Sequence, residues 1–357
     1  MDKIRIIVLG CGNMGSSHAR AYHALEDFEI VALVDRNEDN LKKLTDQIGS
    51  CPVYSDFDQA LKQHLPDAVC ICTYPSTHAE FTLKALDAGA HVFVEKPIAE
   101  TVQDAEAVVA KAAETGKKIV VGYILRHHPG WKKFIDAASG LGKPLVMRMN
   151  LNQQSTGKEW KVHKSIMEAM SPIVDCGVHY VDVMCQMTRA NPVSVSAIGA
   201  RLSDEIAEDQ YNYGQLQVRF DDGSVGWYES GWGPMISEQA YFVKDVMGPK
   251  GSVSISKNTF DLPRGSSADI GGHTSVQRLH LHHSERDADG ALSREDEFID
   301  ASNEPDHDEL CLLEQKFFLK SIQEDLDLSD HLREVVHTLK IVLASDESVK
   351  TGKTVVL

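Results

Sequence analysis

A chain of 357 residues is long enough for two domains of ordinary size. Its formal charge of −17 argues against a nucleic-acid or anionic-membrane partner, and no apolar run approaches the roughly eighteen residues of a membrane span. Seven scattered cysteines make no disulfide framework, and the N-terminus enters a core strand with no basic lead or cleavable apolar segment, so a cytoplasmic protein is expected.

Residues 1–35 organise the rest of the chain. Ile4–Leu9 is a short run of branched apolar residues that reads as a strand buried on both faces, as in a parallel sheet. Gly10, Cys11, Gly12, Asn13, Met14 and Gly15 come next in the pattern G-x-G-x-x-G. A helix is predicted over 13–25, and an apolar strand over 30–34 ends on Asp35, twenty residues past the last glycine. Each part has a job in a dinucleotide site. Gly10 lets the chain turn sharply, Gly12 lets a pyrophosphate approach the backbone, and Gly15 lets the helix pack close to the sheet. The helix N-terminus, with Asn13 and Met14 in its first turn, offers unpaired N–H groups and a positive dipole end to the phosphates. Asp35 can accept from both adenosine ribose hydroxyls and repels a 2′-phosphate, which favours NAD over NADP. Arg36 beside it can pair with a 2′-phosphate and pulls the other way.

Strand and helix then alternate. Helices are predicted over 37–48 (with Asn37 as cap), 56–63, 76–88 and 101–115, the last two ended by Gly89 and Gly116. Strands are predicted over 52–54, 67–72, 91–94 and 118–121. The alternation calls for an α/β fold with a doubly wound parallel sheet, a Rossmann domain over 1–123.

After about Pro144 the pattern changes. Residues 145–152 alternate in period two, 172–187 read as a helix, and strands over 193–200, 211–220, 224–231, 240–247 and 252–256 come without helices between them. Asp221-Asp222-Gly223 is a hairpin turn. These elements predict an α+β domain over 124–357 on a large, open, mostly antiparallel sheet of five or six strands. Residues 257–305 are polar, with loops and one or two irregular strands expected. His273, His280, His282 and His283 lie there without a zinc-ligand spacing, so they are expected to face solvent or substrate, and no metal site is expected. Helices over 307–323 and 332–345 and a strand over 354–357 close the chain, the helices returning to the first domain or packing under the sheet.

In an open α/β sheet a ligand sits at the carboxyl ends of the strands. Three stretches reach that edge: 73–78, with Thr73, Pro75 and His78; Glu95-Lys96-Pro97; and 123–128, with Tyr123, Arg126 and His127. Lys96 comes after an apolar strand, so desolvation can lower its pKa and let it polarise an alcohol oxygen or pass a proton. The alternative is an exposed lysine before a turn. Pro97 restricts the backbone there and is compatible with a cis bond. Asp175 and His179 stand i, i+4 on one helix face, with Gly177 between them and Asp182 further along, a pairing suited to acid–base work. The alternative is a helix-start acid and a surface histidine.

The G-C-G-N-M-G loop, Glu95-Lys96-Pro97, Asp175-Cys-Gly-Val-His179 and the closing stretch with T-G-K together resemble the Gfo/Idh/MocA family over nearly the whole chain. That family is named for glucose–fructose oxidoreductase, inositol 2-dehydrogenase and a rhizopine catabolism protein. The resemblance implies a Rossmann domain followed by an open-sheet domain, with the nicotinamide facing the latter. By position it implies that Lys96 binds the reacting oxygen, His179 is the general base, and Asp175 fixes substrate and histidine. It implies a nicotinamide-side loop at Thr73, Pro75 and His78, a ribose-side acid at Glu95, and substrate contacts at Arg126 and His127. Members act mostly on sugars, sugar derivatives and cyclitols, and the open sheet often makes a homodimer or homotetramer. Such a substrate needs polar groups for its other hydroxyls. Asn150, Asn152, Gln153, Lys161 and His163 can supply them, and Trp160 can stack on a sugar face. The expectation is an NAD-dependent oxidoreductase of a secondary alcohol. A family enzyme with a retained cofactor and a cofactor-sensing regulator are the alternatives.

Overall fold

The computed structural model describes residues 3–237, 242–256 and 274–357. The chain divides into two compact units, one of residues 1–124 and 305–336, the other of residues 125–304 and 337–357.

In the first unit, β1 (Ile4–Leu9), β2 (Phe28–Val34), β3 (Val53–Tyr54), β4 (Ala68–Ile71), β5 (His91–Glu95) and β6 (Ile119–Gly122) form one sheet in the order β3-β2-β1-β4-β5-β6. Every neighbouring pair is parallel. Ile6, Ile7, Val8, Val92, Phe93 and Val94 have no exposed surface. That is why these strands read as unbroken apolar runs: helices cover both faces, so neither face needs polar residues. The connecting helices are α1 (Asn13–Ala24), α2 (Glu38–Ile48), α3 (Phe57–His64), α4 (Pro75–Asp87) and α5 (Val102–Thr115). Asn37, Asp56 and Thr101 cap α2, α3 and α5 by accepting from the first-turn N–H of Asp39, Gln59 and Asp104. The strand order reverses between β1 and β4, which places the glycine loop at the switch point.

In the second unit come α6 (Pro129–Ser139), β7 (Val146–Gln154), α7 (Gly157–Met167) and α8 (Pro172–Thr188). After them lie β8 (Pro192–Ala200), β9 (Tyr213–Phe220), β10 (Val225–Gly233), β11 (Lys244–Gly248), β12 (Gly251–Ser256), β13 (Gln277–His283), β14 (Glu297–Ala301) and, at the end of the chain, β15 (Val355–Val356). They make one sheet, β14-β13-β12-β11-β7-β10-β9-β8-β15, nine strands where the sequence pattern predicts five or six. It is antiparallel except for β7 and β10, which pair in parallel. The two strands at one edge, β13 and β14, come from the polar segment. Their residues are mostly half-exposed or exposed, so apolar alternation is faint there. Two helices, α6 and α7, are absent from the sequence prediction. The N-cap of α6 is His128, which is outside the usual capping set. On α7 only Trp160 and Met167 are buried, too few for a clear stripe. The expected strand start at 240 and His273 lie outside the described residues.

Helix α8 is fixed on the sheet by its sequence. Ser171 caps it by accepting from Val174 N–H, and Pro172 occupies the first turn. A Cβ on Gly177 would lie 2.9 Å from the Tyr228 ring of β10, so the missing side chain lets the helix settle onto the strand. Tyr180 stacks on Tyr228 at 5.3 Å and meets the edge of Trp131 at 5.7 Å.

Two helices close the chain: α9 (His307–Gln323), in the first unit, and α10 (Ser329–Thr351), which the unit division cuts after Val336. The first opens with a capping box of Asp306 and Glu309. It buries Phe318 against Phe93 and Phe28, with ring centroids 6.2 and 6.4 Å away. No described helix is long and apolar enough to cross a membrane.

Candidate active site

Gly10 leaves β1 at φ +85°, in the left-handed region, and a Cβ there would lie 2.5 Å from the carbonyl oxygen of Cys72 after β4. A Cβ on Gly15 would fall onto the carbonyl oxygen of Gly10. Gly12 differs, because nothing lies within 4 Å of its Cβ position. It is also the N-cap of α1, with no side-chain cap. The space beside Gly12, at the N-terminus of α1, is therefore open, as a pyrophosphate requires. Asp35 stands at the end of β2. One oxygen accepts from Cys11 N–H at 2.7 Å and from the Asn40 amide at 3.2 Å, the other from Asn37 N–H at 2.7 Å. The ribose acid is thus tied to the phosphate loop, with Arg36 exposed beside it. These residues fit a dinucleotide. Gly12→Ala is expected to leave the melting temperature of the free protein unchanged but weaken NAD at least about tenfold, near 1.4 kcal/mol, by calorimetry. Equal NAD affinity would remove the phosphate from this position.

At the ends of β4 and β5 the polar residues brace one another. Thr73 and Thr77 hydroxyls lie 2.7 Å apart, and Pro75 opens α4. His78 is buried, its Nδ1 2.7 Å from the Pro97 carbonyl and its Nε2 3.0 Å from the Thr73 carbonyl. Burial pushes its pKa below the usual histidine range. A neutral ring donates to one of those carbonyls only. His78 therefore joins the Thr73 loop to the Lys96-Pro97 turn, whose peptide is cis, rather than reaching toward a ligand. Glu95, expected as a ribose-side acid, faces inward. Its Oε1 is 2.7 Å from His18 Nε2, and its Oε2 accepts from Lys96 N–H at 3.2 Å. Burial raises the Glu95 carboxyl, but the hydrogen bond from His18 outweighs it and holds the group below the usual carboxylate range. Burial likewise works against charge on His18, and Glu95 overcomes it, raising the imidazole to about 9. The backbone of half-buried Lys96 is thus held from two sides.

In the second unit Asp175 and His179 are half-exposed on α8, while Ile173, Val174, Gly177, Val178, Tyr180 and Val181 are buried. The two share the open stripe that their spacing predicts. Around Asp175 the structure gathers residues of β7 and α7. Cys176 Sγ lies 3.5 Å from Gln153 Oε1 and 3.6 Å from Asp175 Oδ2. Trp232 Nε1 donates to Gln153 Oε1 at 2.8 Å. His163 stacks on the Trp232 ring at 4.3 Å, with Nδ1 2.9 Å from the Ser155 hydroxyl. Burial lowers the His163 pKa, and the charge of Asp175 pulls it part of the way back. Sequence pattern does not single out Trp232 or Ser155: neither stands in a motif, and only the β7–β10 pairing brings them to this wall.

Other expected substrate residues are placed differently. Trp160 is 5% exposed and packs with Met167, Ile206 and Trp232, so its ring supports the wall instead of offering a face. Asn152 donates to Glu229 Oε1 at 2.6 Å, Asn150 Oδ1 accepts from Val243 N–H at 2.9 Å, and Lys161 is exposed. Tyr123 is fully buried. The Arg126 guanidinium grips Asp182, Nε to Oδ2 at 2.8 Å and Nη2 to Oδ1 at 2.5 Å, with the Gln186 amide donating to the same carboxylate at 2.9 Å. That cation, expected at the substrate, is engaged inside the fold. Burial and the adjacent Arg126 charge push His127 down to about 3, so it is neutral at ordinary pH.

Residues 4–123 match the NAD-binding Rossmann domain of the GFO/IDH/MocA oxidoreductases, and residues 132–254 match a C-terminal domain of the same family. The chain belongs to the GFO/IDH/MocA family. It is an oxidoreductase whose cofactor is NAD. This GFO/IDH/MocA chain is 27% identical over 281 residues to scyllo-inositol 2-dehydrogenase (NAD(+)) of Bacillus subtilis (strain 168), covering 75% of this chain and 80% of that protein. It is 29% identical over 215 residues to inositol 2-dehydrogenase of Klebsiella pneumoniae, covering 56% and 61%. It is 25% identical over 269 residues to D-glucoside 3-dehydrogenase of Escherichia coli (strain K12), covering 71% and 77%. Its fold matches that of scyllo-inositol dehydrogenase from Lactobacillus casei, solved with NAD(H) and scyllo-inositol, at a TM-score of 0.77 and 20% identity over 99% of each chain.

Proposed function

We propose that this oxidoreductase is a dehydrogenase that oxidises a secondary alcohol of a sugar, sugar derivative or cyclitol. Lys96 and His179 handle the hydroxyl proton, and Asp175 fixes the histidine and the substrate. The observation that carries the reading is on α8, where an acid and an imidazole four residues apart are both half-exposed on a mostly buried helix. The braced backbone of Lys96 supports it, since a fixed main chain limits where the ammonium can reach. The substrate class rests on relatives named for inositols and glucosides.

Bound NAD supplies the hydride acceptor. Gly12, the first turn of α1 and Asp35 would hold it. The work left to the chain is at the oxygen. As hydride leaves the carbon, the hydroxyl must lose its proton, and negative charge builds on its oxygen. The Lys96 ammonium stabilises that charge, and a neutral His179 takes the proton. Half-buried His163, whose charge state Asp175 influences, suits one of the remaining hydroxyls of a polyol, while buried Gln153 holds the wall behind it. In the same reading a second copy of the chain covers the open sheet face, where Val146, Arg148, Gln217, Arg219, Val225 and Trp227 line a groove of about 530 Å³. Sedimentation velocity tests this, a monomer at micromolar concentration being the contrary result.

Function is tested by NADH absorbance with excess NAD and a panel of inositols, aldoses, sugar acids and glycosides. Many turnovers with at least one polyol are expected. Reduction stopping at one equivalent per chain would point to a retained cofactor. Tight NAD binding with no reduction would make the chain a sensor.

A further inference from the structure

Behind the glycine loop, inside the first unit, lies a buried cluster that the proposed reaction does not use. His18 of α1 and Cys311 and Glu314 of α9 bring an imidazole nitrogen, a thiol sulfur and a carboxylate oxygen within 4.8 Å of one another. The three residues are 0%, 0% and 1% exposed. Glu314 Oε1 is buried with no hydrogen-bond partner among the described residues. An unpartnered buried carboxyl is costly and calls for a counterpart. Burial raises this group to about 8, so with nothing bound it keeps its proton near neutral pH. His307, one turn before Cys311, places both ring nitrogens 3.9 Å from Cys311 Sγ and is half-exposed, a way in from solvent. His307, Cys311 and Glu314 thus succeed one another at i, i+4 and i+7 along one face of α9.

We propose that His18, Cys311 and Glu314, with His307 at the mouth, form a binding site for a thiophilic divalent cation, Zn²⁺ being the best fit. Thiolate, imidazole and carboxylate are the ordinary zinc ligands. Bonds of about 2.3 Å to sulfur and 2.1 Å to nitrogen put tetrahedral ligands roughly 3.4–3.6 Å apart, so donors now within 4.8 Å of one another must close by up to about 1.2–1.4 Å. The far side of His18 is already arranged for the task. Its Nε2 faces Glu95 Oε1 at 2.7 Å, the carboxylate–histidine pairing that orients metal-bound imidazoles and leaves Nδ1 for the ion. That Nδ1 now lies 2.8 Å from the Gln315 amide, which must swing aside. The proton balance is simple: the ion displaces the Cys311 thiol proton and the Glu314 carboxyl proton, and the one on His18 Nδ1 when that ring is charged. His18, Cys72 and Glu95 form a second group of similar closeness, but both Glu95 oxygens are engaged already. Local spacing could not show the site, because its ligands come from opposite ends of the chain. When filled it would pin α9 to α1 under the phosphate loop.

The experiment uses the full chain, stripped with a chelator, dialysed and titrated with Zn²⁺ or Co²⁺. One equivalent per chain is expected, with a raised melting temperature and, for Co²⁺, a thiolate-to-cobalt charge-transfer band. Cys311→Ser should abolish the band, and Glu314→Gln should weaken Zn²⁺ at least about tenfold. Metal-free Glu314→Gln should be no less stable than the parent, because the amide replaces a buried acid. No stoichiometric binding, or binding indifferent to both substitutions, overturns the site. Should a variant fail to fold, the parent decides: a charge-transfer band with a Zn²⁺-dependent melting shift supports the site, and the absence of either overturns it.

Discussion

Alanine at Lys96 or at His179 is expected to lower kcat by about 10²–10⁴-fold while NAD affinity stays within a few-fold of the parent, the range that general acid–base assistance supplies. The size reflects what each group does. In the proposed mechanism, losing the ammonium would leave the developing oxyanion without that cation, and losing the imidazole would leave the proton to water. The structure makes the Lys96 experiment clean, because the main chain there is held by the Glu95 carboxylate and by the turn that His78 braces. Alanine therefore removes the charge and leaves the backbone in place. For His179 the helix is held by the buried face of α8 and by its Ser171 cap. Near-normal kcat in both variants would remove the mechanism and leave only a nucleotide-binding fold.

The largest stability effect is expected at Asp182. Asp182→Ala should destabilise the second unit by about 3–5 kcal/mol, because it takes from a buried guanidinium the carboxylate that accepts two of its hydrogen bonds. The side chains are 10% exposed for Arg126 and 0% for Asp182, so water cannot take the lost partner's place. Burial raises the Asp182 carboxyl, and Arg126 and Gln186 pull it back, so the two charges depend on each other. Replacing both together, Arg126→Met with Asp182→Leu, should recover most of the loss. Denaturant unfolding monitored by tryptophan fluorescence measures both. A loss confined to KM in Arg126→Ala, with stability intact, would return Arg126 to the substrate site.

The parts of the fold legible in the sequence are those written in local pattern. The strands of the first sheet are apolar without a break because both their faces are covered, and Gly10, Gly12 and Gly15 stand where the backbone needs a turn, an open approach and a close one. Asp175 and His179 are legible because helical spacing alone puts them on one stripe. The illegible parts depend on contacts distant in sequence. Glu95 reads as a ribose acid until His18 stands against it, and Arg126 reads as a substrate contact until Asp182 closes on it. Trp160 has the composition of a sugar platform, yet Met167, Ile206 and Trp232 pack against it and turn it into core. Edge strands β13 and β14 escape because half-exposed strands carry little apolar signal.

Hydride transfer from the alcohol is best examined with the most active polyol of the panel, made with deuterium on its oxidised carbon, and mass spectrometry of the recovered NADH. The label should appear in the reduced cofactor, and Lys96→Ala should slow the transfer without rerouting it. Unlabelled NADH, or label lost to solvent, would contradict a direct passage of hydride from substrate carbon to NAD.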